Sequence, residues 1–93
     1  MTNLEWNKRK NETNFKKHGF HFESAALVFS GAYITQEDTR KDYGERRFLS
    51  MGTLGLNGRV VIVAYTRRGS KLRIISMRKA NQREQKIFYS YFS

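Results

Sequence analysis

Hydrophobic and polar positions change period several times along this chain, and each change marks an element. Leu4, Glu5 and Trp6 form a short opening that suits a brief edge strand. Asn7 is a good helix N-cap, because its side-chain oxygen can accept from a free amide of the first turn. A polar helix follows from Lys8 to Lys17, with Phe15 as its only large apolar residue. Asn7, Asn11, Asn14 and His18 form a stripe beside Phe15 at helical spacing. Gly19 suits the residue just past a helix end. Phe20–Phe29 predicts a second helix, since Phe22, Ala25, Ala26 and Phe29 follow the spacing of one buried face, broadened by Leu27 and Val28.

The period then shortens. Ala32–Thr35 reads as a short strand and 36–43 as a polar connection. In Glu45–Leu54 both faces mix charged and apolar residues, so one face should border a solvated cleft. Asn57-Gly58 is a hairpin signal, because this pair accepts the positive φ of a type I′ turn. Val60 to Tyr65, within Arg59–Thr66, is apolar and mostly β-branched, as a central strand requires. Arg67–Ser70 is a second turn, and Lys71–Arg78 a third antiparallel strand. From Ala80 the period is helical again, with Ala80, Ile87, Phe88 and Tyr91 on one face and Glu84 in its middle. The expected fold is one α+β domain over residues 1–93, a small antiparallel sheet of three to four strands with two N-terminal helices and one C-terminal helix.

Arg73 and Arg78 interrupt the apolar run Leu72, Ile74, Ile75, Met77. Strict alternation places them on opposite faces. Arginine is rarely buried unpaired, so at least one should line a cleft or meet a carboxylate. Glu84 is the nearest carboxylate by sequence. Two readings stand: a structural ion pair locking helix to sheet, or an arginine oriented by Glu84 for a phosphate. The first helix also has two readings. Its Asn and His stripe bonds neighbouring backbone, or its lysines bind phosphate beside a usable imidazole.

Charge narrows the function. Eighteen Lys plus Arg against eight Asp plus Glu give a net +10 over 93 residues. A folded domain this basic attracts a polyanion, with nucleic acid ahead of an anionic membrane or an acidic protein. Without Cys there is no disulfide and no thiolate. No apolar run approaches the roughly 20 residues of a membrane span, and the polar N-terminus is no secretory signal, so a cytoplasmic location is expected. No glycine-rich phosphate loop is present. Two separated histidines argue against zinc. Asp38, Asp42 and Glu45 are the only clustered carboxylates and lie among arginines. A nuclease built on this chain should therefore work without metal or cofactor. It would use Arg and Lys against phosphate charge, and His, Tyr or Glu to move protons.

Trp6, Lys10, Asn14, Lys17-His18-Gly19 and Phe22, then Glu45, Arg47 and Gly52, then Tyr65-Thr66, Arg68 and Arg73-Ile74-Ile75-Ser76, and finally Arg78, Ala80 and Glu84 resemble the BrnT toxin family in order and spacing. The chain departs from the family pattern at Asn7, Met77, Gln85 and Phe88. The resemblance implies a RelE-like fold and an RNA-cleaving toxin that arrests translation. It also implies neutralisation by an antitoxin, typically with a ribbon-helix-helix DNA-binding domain, through which alone operator DNA would be reached. On that reading Arg47, Arg68 and Arg78 hold the phosphate while the RNA 2′-hydroxyl attacks. His18 or Tyr65 moves protons, with Glu45 as an alternative base. Lys10, Lys16, Lys17, Arg46 and Arg73 bind RNA. The alternatives are a non-catalytic nucleic-acid-binding module and a basic surface that only holds an antitoxin.

Overall fold

A computed structural model describes residues 3–56 and 58–92. β1 (Asn3–Trp6) leads into α1 (Lys8–His18), and a 3-10 turn (Phe22–Ser24) into α2 (Ala25–Phe29). β2 (Tyr33–Asp38), β3 (Arg47–Thr53), β4 (Val60–Arg68), β5 (Lys71–Lys79) and α3 (Gln82–Phe92) complete the order. The expected Asn57-Gly58 turn lies outside the described residues, because Asn57 is not among them.

The α+β class and three helices agree with the sequence reading, but the sheet is larger. It has five strands in the order β1-β5-β4-β3-β2, with β1 parallel to β5 and the other pairs antiparallel. The expected antiparallel sheet of three to four strands is corrected to a mixed one of five. β2 continues through Gln36, Glu37 and Asp38, which read as loop because an edge strand tolerates polar side chains. The second N-terminal helix is also shorter than expected. It starts in a 3-10 turn and buries Phe22, Ala25 and Val28, leaving Ala26 and Leu27 exposed.

Helices cover both sheet faces. The first face packs Phe48, Val61, Val63, Tyr65, Ile74 and Met77 against Phe20, Phe22, Ala25 and Val28. Gly52 permits the close approach of α2, since a Cβ there would lie 2.9 Å from Val28 Cγ1 and 3.1 Å from Tyr33 Cβ. The second face packs Met51, Val60 and Ile62 against Ala80 and Phe88.

α1 has almost no apolar face and is held by amides instead. Asn14 Nδ2 donates to Phe20 O and Met77 O, both at 3.0 Å, and its Oδ1 accepts from Met77 N at 3.1 Å. This side chain completes the edge of β5 beyond the point where β1 stops. Asn11 Oδ1 accepts from Phe22 N at 2.7 Å. Asn7 Oδ1 accepts from Lys10 N, and Gly19 ends the helix at φ 79°. The asparagine stripe therefore bonds backbone, as the structural reading held.

β5 contains a bulge. Ala64 pairs with Ser76, but the next residue, Tyr65, pairs with Ile74, leaving Ile75 as the extra residue. One extra residue reverses the alternation. Ile74 and Met77 consequently share the first face. Arg73 and Arg78 likewise share the second face, not opposite faces as alternation alone implied.

Candidate active site

α3 covers only the half of the second face around Val60, Ile62 and Met51. The uncovered half is polar. Strand register places one residue from every strand in a single row: Asp38 opposite Arg47, Arg47 opposite Thr66, Thr66 opposite Arg73, and Arg73 opposite Glu5. At the usual strand spacing this row spans roughly 19 Å. Carboxylates stand at its ends, arginines inside them, and a hydroxyl at its centre.

Each end is built. Asp38 accepts from Arg40 Nε and Nη2, both at 2.9 Å, and from Tyr43 Oη at 3.0 Å. Tyr43, so fixed, carries the Arg47 guanidinium 4.0 Å from its ring centroid. At the other end Arg73 Nη1 donates to Glu5 at 3.2 Å. Arg68, one step beyond Thr66 on the same face, meets Glu45 at 3.5 Å with both side chains about half exposed.

Arg78 serves a different purpose. Its Nη1 and Nη2 donate to the two Glu84 oxygens, both at 2.9 Å. Glu84 Oε1 also accepts from Asn81 N, and Asn81 Oδ1 accepts from Glu84 N, both at 2.8 Å. This reciprocal cap starts α3. Of the two arginines that could meet Glu84, Arg78 does so while Arg73 meets Glu5, and the Arg78 geometry fits the structural reading.

The remaining sequence candidates are dispersed. Tyr65 is 2% exposed and lies on the helix-covered face against Phe29 and Phe48, with its hydroxyl 2.7 Å from Ser50 Oγ. It thus sits on the opposite sheet face from the row with its hydroxyl already engaged by Ser50, a core position that argues against the part in proton transfer expected of it. Arg46 pairs with Glu37 and stacks on Phe48, which faces the helices, so it turns away from the row. Lys10, Lys16, Lys17 and His18 are exposed on α1. His18 precedes Phe20, which lies by Arg59 at the start of β4. The row crosses β4 at Thr66, roughly 20 Å along the strand from Val60. Asp38, Arg40, Tyr43 and Thr66 carry no local sequence signal of a site. Only register and the loop folded around Asp38 reveal them.

The departures from the family pattern are structural positions. Met77 and Phe88 are core residues, and Gln85 Nε2 donates to Ala80 O at 2.9 Å. The groove beside α3, about 620 Å³, is mostly apolar, and its one charged side chain, Glu84, is already bound to Arg78.

These ion pairs set an acid limit. The Arg78 guanidinium, with the Asn81 amide, holds Glu84 below its ordinary value of 4.5. Arg40, its backbone amide and Tyr43 hold Asp38 far below 3.8. A carboxylate whose value falls on folding contributes stability above its unfolded value and loses it as pH falls toward the folded one. Stability should therefore hold at neutral pH and decline below about pH 4.5. Glu84→Ala should cost about 2 kcal/mol at pH 7, combining a lost helix cap with a half-solvated ion pair. It should also flatten the acid decline. Urea unfolding between neutral pH and pH 3 measures both, and a cost below about 0.5 kcal/mol, usual for surface positions, would show that Glu84 is solvated.

No curated relative matches the chain. The stretch from Trp6 to Glu84 holds every residue of the row except Glu5, together with the Arg78–Glu84 pair. Residues 6–84 match the family described as the ribonuclease toxin BrnT of type II toxin-antitoxin systems, and the chain belongs to that family.

Proposed function

We propose that this toxin cleaves RNA at the arginine row without a metal ion. The observation that carries the proposal is the pair Arg47 and Arg73 flanking Thr66 on the half of a sheet face that no helix covers, in a +10 protein. RNA contains its own nucleophile. The 2′-hydroxyl oxygen attacks the adjacent phosphorus, the bond to the 5′ oxygen breaks, and a 2′,3′-cyclic phosphate and a 5′-hydroxyl result. Glu45, beside Arg68 at the edge of the row, takes the 2′-hydroxyl proton, and the leaving oxygen takes one from solvent. Arg47, Arg68 and Arg73 offset the charge that grows on the phosphate. A metal-free route is supported by the state of the local carboxylates. Glu5, Asp38, Glu45 and Glu84 each face a guanidinium.

Lys10, Lys16 and Lys17 add general attraction for RNA from the flank. The antitoxin that a type II family implies would carry the ribbon-helix-helix domain and reach operator DNA itself. RelE-like kinship and action in the cytoplasm belong to the same proposal.

The test is incubation of purified protein with RNA in chelator, reading cut sites and cyclic ends, with binding followed from about 50 to 200 mM salt. Cleavage should persist, and log affinity should fall with a slope of about −0.7 per phosphate neutralised. Binding without cutting would favour the non-catalytic module, and a flat salt dependence would remove the polyanion argument.

A further inference from the structure

A polar atom sealed from water without a partner costs free energy, so native folds keep few of them. Two belong to residues paired in this row. Thr66 Oγ1 and Arg47 Nε are buried and bonded to nothing among the described residues. Thr66 is 1% exposed and pairs directly with Arg47 across β3 and β4. Arg73 lies on its other side, across β4 and β5.

Arg47 and Arg73 differ from the arginines that a carboxylate saturates in what they leave free. Arg40, Arg46 and Arg78 each give two guanidinium nitrogens to one carboxylate. Arg47 is held by the face of Tyr43, which takes none of its N–H groups in hydrogen bonds. Arg73 gives only Nη1 to Glu5. The centre of the row thus offers a hydroxyl flanked by two guanidinium groups with unclaimed donors, while the carboxylates stand outside them. The two arginines start two strands apart, roughly 10 Å, and their length lets them converge over Thr66. A planar carboxylate suits one guanidinium fork. Donors arriving from three sides suit a tetrahedral oxyanion.

We propose that Thr66 is the centre of a phosphate clamp. Its hydroxyl and Arg47 Nε donate to one non-bridging oxygen of the RNA phosphodiester, and Arg73 donates to the other. The identity of the anion rests on the ribonuclease reading, whereas the clamp itself rests on the row. The binding phosphate supplies the partner that both buried atoms lack, so part of the free energy stored in their desolvation returns on binding.

The test compares wild type, Thr66→Val and Thr66→Ser in the full chain. Valine keeps the branched shape and removes the hydroxyl, and serine keeps the hydroxyl. Inorganic phosphate, followed through backbone amide shifts, is the binding probe; thermal melting and RNA cleavage are read in parallel. Thr66→Val should melt no lower than wild type, because it removes an unbonded buried hydroxyl. It should also lose the phosphate response at Arg47, Thr66 and Arg73 and cut RNA about 10- to 100-fold more slowly, the effect of one lost hydrogen bond to a charged group. Thr66→Ser should recover most of both. A Thr66→Val protein that responds to phosphate and cuts as wild type does overturns the clamp and leaves the ribonuclease reading standing. One that melts lower yet keeps its phosphate response assigns the hydroxyl a structural role and also overturns it. If wild type cuts no RNA but its phosphate response vanishes in Thr66→Val, the clamp stands and the ribonuclease reading fails.

Discussion

Arg47→Ala is expected to lower the rate of RNA cleavage on the order of 10²–10³-fold, the scale for losing one preorganised donor to a developing oxyanion. The side chain is positioned by three links. Asp38 accepts the Tyr43 hydroxyl, the Tyr43 ring carries the guanidinium, and the backbone holds Arg47 opposite Thr66. Folding should suffer little, because the stacking it removes is worth about 1 kcal/mol. Arg47→Lys should not restore the rate, since an ammonium is a loose point charge without the planar fork and without a nitrogen at the Nε position. Lys16→Ala is the useful contrast. It lies on exposed α1, so it should weaken binding and reduce the salt slope by about 0.7 without a comparable fall in the catalytic rate. Single-turnover cleavage of folded variants decides the matter. If folded Arg47→Ala cuts as fast as wild type, the row is not where RNA is cleaved. Arg78, attractive from sequence because it lies where the last strand meets the last helix, is a weaker choice, since its fork is filled by Glu84.

Asn14→Ala is expected to be the most destabilising single change, costing about 3–5 kcal/mol by leaving buried backbone groups without partners. Asn14 is 6% exposed and satisfies Phe20 O, Met77 O and Met77 N together. Met77 lies on the stretch of β5 that β1 does not reach, so no neighbouring strand replaces the lost bonds. α1 buries little apolar surface, and without this anchor it has little to hold it to the sheet. Asn14→Asp should be nearly as costly, because it can accept from Met77 N but cannot donate to either carbonyl. Equilibrium unfolding in urea measures the difference, and a loss under about 1 kcal/mol would show that water takes over the contacts.

Much of the architecture was legible in the chain. Local chemistry announced α1 through Asn7 and Gly19, β4 through its β-branched run, and α3 through its periodic apolar face. These signals depend only on residues a few places apart, so reading along the chain recovers them. The Glu84 pairing was legible for the same reason, since Arg78 lies six residues away. The edge strands were less clear. β1 is short, and the polar half of β2 is stabilised by pairing with β3 and not by its own composition.

The site was the least legible part, and the reason is geometric. Its residues come from five strands, and which of them are neighbours depends on register, a property of strand pairs and not of any one stretch. Parity placed Arg73 and Arg78 on opposite faces, but the extra residue at Ile75 reversed it. Tyr65 and Thr66 are adjacent in sequence, and the pleat sends one into the core and the other into the arginine row. The sequence determined a basic ribonuclease-toxin chain with recognisable elements. Only tertiary pairing decided that Arg47, Thr66 and Arg73 form one surface, that Tyr65 is sealed away from it, and that His18 lies toward the other end, because strand register alone converts distant residues into neighbours.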